Sequence, residues 1–285
     1  MADELTPTGT MLLMFEVTDG RPFPFVPGQF VTIVAGTGPA AHHSPYAICT
    51  APDGRSCFGV LLKVVPDGPV ATYLGSLRRG DVISFRGPLG RSMVPPDWSR
   101  DLALWATGVG IGPFLGLVEL LFRQGFDRRI QLAWGLRHAD DVCLVDELDR
   151  FAAAHATFSY DLSLSDPDEN WAGRRGRITE WAPTLVDEID RFRFYLCGNG
   201  AMVEEMAAAL SEVGVTSDRV YGEAYFKRYH HPDPGAVHEA AKRFRRDRCL
   251  LPGTAVDEPF PVSTPVNRQP CSAWGSDGPG GVCEQ

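Results

Sequence analysis

Residues 107–114 read Thr-Gly-Val-Gly-Ile-Gly-Pro-Phe, and their types and spacing point to phosphate chemistry. The segment follows an apolar run and opens an apolar helical stretch. Gly108, Gly110 and Gly112 let the main chain approach a phosphate closely. A helix starting here supplies free N–H groups and a partial positive charge, and Pro113 suits its first turn. Thr107 closes the strand before the turn. The same pattern serves equally well as a glycine turn that packs strand on helix. Metal chemistry has no comparable support. The seven cysteines are 49, 57, 143, 197, 249, 271 and 283, and the closest two, Cys49 and Cys57, are eight residues apart. That spacing matches neither a zinc site nor an iron–sulfur cluster.

Such a loop needs a strand before it and a helix after it, and the surrounding pattern provides both. Runs 102–107, 130–135, 158–163 and 192–198 are strand-like and alternate with helical stretches 112–124, 141–156 and 201–214. Strand–helix alternation implies a parallel sheet with right-handed crossovers. Residues 1–97 read differently. Short apolar runs 11–17, 30–36, 58–65 and 82–87 are punctuated by DG, PG, PDG and RRGD turns, with one short helix from Pro69 to Leu77. That pattern indicates an antiparallel β-barrel. Pro95 to Arg100 reads as a linker. The expected organisation is a β-barrel domain at 1–97, an α/β domain at 98–226, and a C-terminal extension at 227–285, partly helical or disordered, with a basic helix over 236–248.

Composition narrows the function classes. Hydrophobic residues make up 44% and charged residues 22%, which suits a soluble folded chain rather than a disordered one. No run approaches the ~20 apolar residues of a membrane span. The N-terminus has no basic region followed by an apolar run, so a cytoplasmic location is expected. Residues 1–226 carry 19 Lys and Arg against 29 Asp and Glu, a balance of −10, whereas residues 227–285 carry 8 against 7. An acidic body argues against nucleic acid as a partner. A monomer is expected.

Six further segments, in order, carry a resemblance. They are Pro27-Gly28-Gln29-Phe30-Val31, Ser44-Pro45-Tyr46-Ala47-Ile48, Gly80-Asp81, Gly87-Pro88-Leu89-Gly90, Leu196-Cys197-Gly198-Asn199-Gly200-Ala201-Met202-Val203 and Gly222-Glu223-Ala224-Tyr225-Phe226. With the glycine loop, over residues ~8–226, this set resembles the ferredoxin–NADP reductase superfamily. The resemblance implies an FAD-binding barrel and a nicotinamide-dinucleotide domain. It implies hydride transfer from NAD(P)H to FAD, then single electrons to a small redox protein: ferredoxin, flavodoxin or an oxygenase component. The protein supplies position and electrostatics to chemistry that belongs to the cofactor. By the same resemblance Tyr46, with Ala47 and Ile48 beside it, contacts flavin. Cys197, with Gly198, Asn199 and Met202, lies beside the nicotinamide, and Glu223 lies near flavin N5. Tyr225 or Phe226 stacks on the isoalloxazine or the adenine. Against these roles stand plainer ones: a core aromatic at Tyr46, an inert buried thiol at Cys197, a solvated carboxylate at Glu223.

The sequence also departs from the family. The arginine expected at position 44 is Ser44, and the hydroxyl expected at position 47 is Ala47. In the turn after Gly68, Ala71 takes the place of a Ser or Thr, with Thr72 one residue later. Candidate replacements are Lys63, which leads toward the Pro66–Gly68 turn, His42 and His43, and the N–H groups of residues 70–72. Ser165-Asp166 stands where NADPH-dependent relatives often carry Ser-Arg. An aspartate there favours NADH, since it repels a 2′-phosphate and accepts from a ribose hydroxyl. Arg174 and Arg175 weigh toward NADPH. Two other functions fit the pattern less well: an electron-transfer flavin subunit of a larger complex, and a degenerate scaffold without flavin.

Overall fold

The computed structural model describes residues 2–18, 20–66, 68–225 and 233–244. Strands β1 (Ala2–Glu4), β2 (Thr10–Glu16), β3 (Phe30–Ala35), β4 (His42–Ala47), β5 (Cys57–Lys63) and β6 (Ser84–Leu89) form two antiparallel three-stranded sheets. Their orders are β1-β2-β5 and β4-β3-β6, joined by an Ile48–Val60 bridge. Helix α1 (Pro69–Gly75) closes the enclosed core with Val70 and Leu74. β3 alternates as its pattern requires, with Val31, Ile33 and Ala35 facing the core. β2 is buried on both faces. Leu13 and Phe15 join the core of this unit, whereas Leu12 and Met14 pack against the second unit. The long apolar run 11–17 therefore marks the strand on which the two units meet.

The second unit is a six-stranded sheet, all parallel, in the order β10-β9-β8-β7-β11-β12. Its strands are β7 (Asp101–Thr107), β8 (Ile130–Leu136), β9 (Phe158–Leu164), β10 (Arg174–Arg175), β11 (Phe192–Asn199) and β12 (Val220–Tyr225). Helices α2 (Gly112–Arg123) and α3 (Val145–Ala154) cover one face. Short α4 (Ile178–Trp181), α5 (Gly200–Glu212) and α6 (Pro234–Lys242) cover the other. The chain builds outward from β7 to β10 and then returns to β7's other side with β11. The crevice at the carboxyl ends of β7 and β11 is thus the topological switch point, where α/β sheets of this type bind ligands.

Helix α2 meets the first unit through missing side chains. A Cβ on Gly116 would stand 2.4 Å from the Thr50 carbonyl oxygen, and one on Gly112 would stand 3.2 Å from Cys49 Cβ. The glycines thus seat α2 on the antiparallel unit.

The basic helix expected at 236–248 begins earlier and has a different face. Asp233 caps α6, its carboxylate accepting from the N–H groups of Gly235 and Ala236. Ala240, Ala241 and Phe244 are buried, and Phe244 sits against Trp105 of β7 and Phe194 of β11. Residues 233–244 pack into the α/β unit, beyond the boundary expected at 226. The physical reason lies in the 165–191 connection, whose helices are one turn or little more and leave sheet surface for α6 to cover. Phe226, residues 227–232 and residues 245–285 lie outside the described residues.

Candidate functional site

Strand ends bring the expected residues together. Cys197 is fully buried on β11, between Ala106 of β7 and Glu223 of β12 in register. Gly198 follows with φ +127°, and a Cβ there would meet Thr107 oxygen atoms at 2.4 Å. A Cβ on Gly110 would meet the Cys197 carbonyl oxygen at the same distance. These glycines let the two strand ends touch. Gly108 is different: its φ is +55° and nothing lies within 4 Å of where a Cβ would be. Within the glycine loop, Gly110 and Gly112 serve packing, Pro113 is buried in the first turn of α2, and Gly108 faces open space. The packing reading holds at Gly110 and Gly112, and Gly108 leaves room beside the loop.

That open space is a cleft of about 560 Å³. Thr107, Gly108, Gly198, Asn199, Met202 and Tyr225 line one end. Ser165, Gly176, Arg177 and Thr179 line the other, with Arg137 at the end of β8. Lys63 and Val65 reach it from the first unit. Trp134 donates its indole N–H to the Gly108 carbonyl, fixing the loop. Thr107 Oγ1 accepts from the Asn199 N–H, and the Asn199 side chain caps α5 by accepting from Ala201 N–H. Ser165 donates its hydroxyl to the Leu136 carbonyl.

Lys63 is spent on a carboxylate of the other unit. Its ammonium pairs with buried Asp141, to which Thr8 also donates at 2.7 Å. Burial pushes Asp141 up, but the hydrogen bonds from Lys63, Thr8 and the His138 N–H outweigh it and hold the carboxyl below its ordinary value. This cluster ties the two units at the cleft. Asp166 is exposed at the end of β9, 3.6 Å from Arg137. Arg174 is committed to Asp161 and to the face of Trp181, and Arg175 to the carbonyls of Asp168, Glu169 and Trp171.

Beyond Cys197 the site becomes acidic and aromatic. Glu223 is 6% exposed. Burial pushes its carboxyl from 4.5 to about 7, against a hydrogen bond from Tyr221 and the charge of Arg91. Burial, with Glu223 beside it, also pushes the Cys197 thiol well up, so it stays neutral. The Tyr225 hydroxyl is buried against the Cys197 sulfur with no hydrogen-bond partner of good geometry. In the first unit Tyr46 is half-buried on β4, Ala47 and Ile48 are buried behind it, and Ala71 turns inward while Thr72 is exposed. Gly68 caps α1 without a side-chain hydrogen bond. Of the N–H groups expected to serve at residues 70–72, that of Thr72 already donates to the Gly68 carbonyl, because it closes the first turn of α1, and those of Val70 and Ala71 remain without an intrahelical acceptor. Sequence reasoning missed Trp134, Arg137, Arg177, Arg91 and Tyr221. Arg137 had a signal, since it ends a parallel strand next to the one carrying Asp166.

Comparison with known proteins agrees with this geometry. Residues 4–93 match the oxidoreductase FAD-binding domain and residues 104–208 the oxidoreductase NAD-binding domain. Ferredoxin–NADP reductase B of Sorangium cellulosum is 29% identical over 220 residues, covering 75% of this chain and 90% of that protein. The toluate 1,2-dioxygenase electron transfer component of Pseudomonas putida is 30% identical over 203 residues, covering 70% of this chain and 59% of that one. The chain thus spans little more than half of that oxygenase component. The Amycolatopsis cytochrome P450 reductase GcoB shares the fold, with a TM-score of 0.70 at 24% identity over 78% of this chain and 66% of that one. Two nucleotide-binding units with one site between them define a flavin- and nicotinamide-dependent oxidoreductase. The chain belongs to the ferredoxin–NADP reductase superfamily, and its cofactors are FAD and NAD(P)H. No helix among the described residues is long and apolar enough to cross a membrane.

Proposed function

We propose that the protein oxidises NADH with FAD and passes electrons singly to a small redox protein: a ferredoxin, a flavodoxin or an oxygenase component. The observation that carries this is the meeting of Thr107–Gly108, Cys197–Gly198 and Glu223–Tyr225 at one end of a cleft that both units line. Bound FAD would supply the conversion between a two-electron hydride donor and one-electron acceptors. The chain's residues fit that group at its ring end. Half-buried Tyr46, the orphan Tyr225 hydroxyl and buried Glu223 supply an aromatic face, an unused donor and a proton-holding acid. At the phosphate end, where Ser44 replaces an arginine, the N–H groups of Val70 and Ala71 at the start of α1 take over; Lys63 is committed to Asp141.

In this reading Gly108 and the start of α2 receive the dinucleotide phosphates. Cys197, neutral and fully buried, packs the nicotinamide and keeps water out. Tyr225 covers the same end. Asp166 disfavours a 2′-phosphate, and Arg174 and Arg175 are occupied elsewhere, so NADH is preferred over NADPH. The acceptor, a monomeric state and a cytoplasmic location belong to the same proposal. The test is the visible spectrum of the purified protein, with the flavin extracted, followed by anaerobic addition of each nucleotide. A yellow protein holding about one FAD and bleached by NADH is expected. A protein that stays colourless after FAD is added refutes the proposal and supports the scaffold reading.

A further inference from the structure

Arg91, in the loop after β6, reaches across to the last strand of the other unit. Its exposed guanidinium lies 4.8 Å from the centroid of the Tyr221 ring. The same ring stacks on Tyr195 of β11, centroids 5.8 Å apart and planes 27° apart. Tyr221 and Glu223 are two residues apart on β12 and so share a face. The Tyr221 hydroxyl donates to Glu223 Oε2 at 3.4 Å. Glu223 is otherwise enclosed, with Cys197 in register beside it and Tyr225 beyond. A continuous path therefore runs from solvent at Arg91, through Tyr221, to a buried acid. The cation–aromatic contact orients the phenol, and an arginine held over a ring keeps its charge near the carboxylate.

The reaction proposed above leaves a proton behind. NAD(P)H and two oxidised one-electron acceptors become NAD(P)⁺, two reduced acceptors and one H⁺. A buried acid at the reacting end needs an outlet for that proton. We propose that Tyr221, in contact with both Arg91 and Tyr195, relays the proton between Glu223 and solvent, and that Arg91 is the positioning residue that holds the relay. The Tyr221 hydroxyl first turns from Glu223 Oε2 toward water; the Glu223 carboxyl then gives its proton to the Tyr221 oxygen as the phenol's own proton leaves to that water. Tyr221 ends neutral and Glu223 ends as carboxylate. This rests on the flavin reading of the site.

The test uses the full chain loaded with FAD, NADH as donor and ferricyanide as the one-electron acceptor. Tyr221→Phe is expected to slow steady-state turnover more than it slows single-turnover flavin reduction, and to enlarge the D₂O effect on turnover. Arg91→Gln follows it in the same direction and Arg91→Lys recovers part of the loss. A second measurement needs no activity. Infrared titration of the Glu223 carboxyl in flavin-free protein, assigned with Glu223→Gln, moves up by about one pH unit in Tyr221→Phe and in Arg91→Gln. If wild-type protein is reduced but Tyr221→Phe shows neither the isotope effect nor the upward titration, the relay is wrong. If neither nucleotide reduces the loaded wild type, the flavin reading itself fails.

Discussion

Glu223 makes a quantitative prediction about stability against pH. Its carboxyl sits at about 7 in the folded protein against an ordinary 4.5, chiefly because burial disfavours the charged form. That displacement corresponds to about 3 kcal/mol. The sign follows from linkage: the folded state binds the proton more tightly than the unfolded state, so the contribution is full below about pH 4.5 and is lost as pH rises through about 7. Glu223→Gln keeps the shape and cannot ionise. The stability of the variant relative to wild type should therefore rise by about 3 kcal/mol between about pH 4 and about pH 8.5 and level off at either end. Chemical denaturation of flavin-free protein at a series of pH values, both proteins in parallel, measures the difference directly. All other titrating groups cancel in it. If the two curves stay parallel across this range, Glu223 is not held in its acid form by burial, and neither its role nor the relay through Tyr221 stands.

Cys197→Ala should slow flavin reduction by NADH by about tenfold, the scale of a small packing error at a reacting centre, while the flavin stays bound; unchanged stopped-flow traces remove Cys197 from the hydride path. Asp166→Arg should move the NADPH-to-NADH ratio of kcat/KM by about tenfold or more, since it exchanges a repulsive charge for a phosphate partner; a ratio that does not move shows that this loop does not read the 2′ position. Phe244→Ala should cost about 3–5 kcal/mol, as expected for a buried aromatic. Truncation after 226 should then yield an unstable or aggregated protein and truncation after 244 a folded one, by gel filtration and thermal melting. A stable protein ending at 226 would show that α6 is dispensable to the fold.

Local patterning carried much of this architecture. Runs such as 130–135 and 192–198 are apolar save for Gln131 and Arg193 because strands of a parallel sheet are buried on both faces, and they stand out against the helical stretches between them. The glycine loop and the Cys197 segment were legible because a close backbone approach admits only glycine. β4 was hidden for the opposite reason: His42–Ala47 is polar and contains a proline, as suits an edge strand with a partly exposed face. Which glycine does what was also not legible. Gly108, Gly110 and Gly112 are equivalent as letters, and only the packing of β11 against Gly110 and of the antiparallel unit against Gly112 separates the open one from the two that are filled. Lys63 looked like a phosphate ligand by its place before a turn, but a buried carboxylate on the other unit, Asp141, claimed it. The reluctance of Glu223 to ionise came from enclosure, which depends on Cys197, some twenty-five residues earlier in the chain, arriving beside it on the neighbouring strand. The end of the fold was misjudged at 226 because the need for Phe244 arises from sheet surface left bare by a connection some sixty residues earlier. Sequence alone determined most of the elements, their order and the class of chemistry they carry, since these depend on residue type and near neighbours. Tertiary structure decided which groups are spent on one another and which remain free to act, because that depends on contacts between residues far apart in the chain.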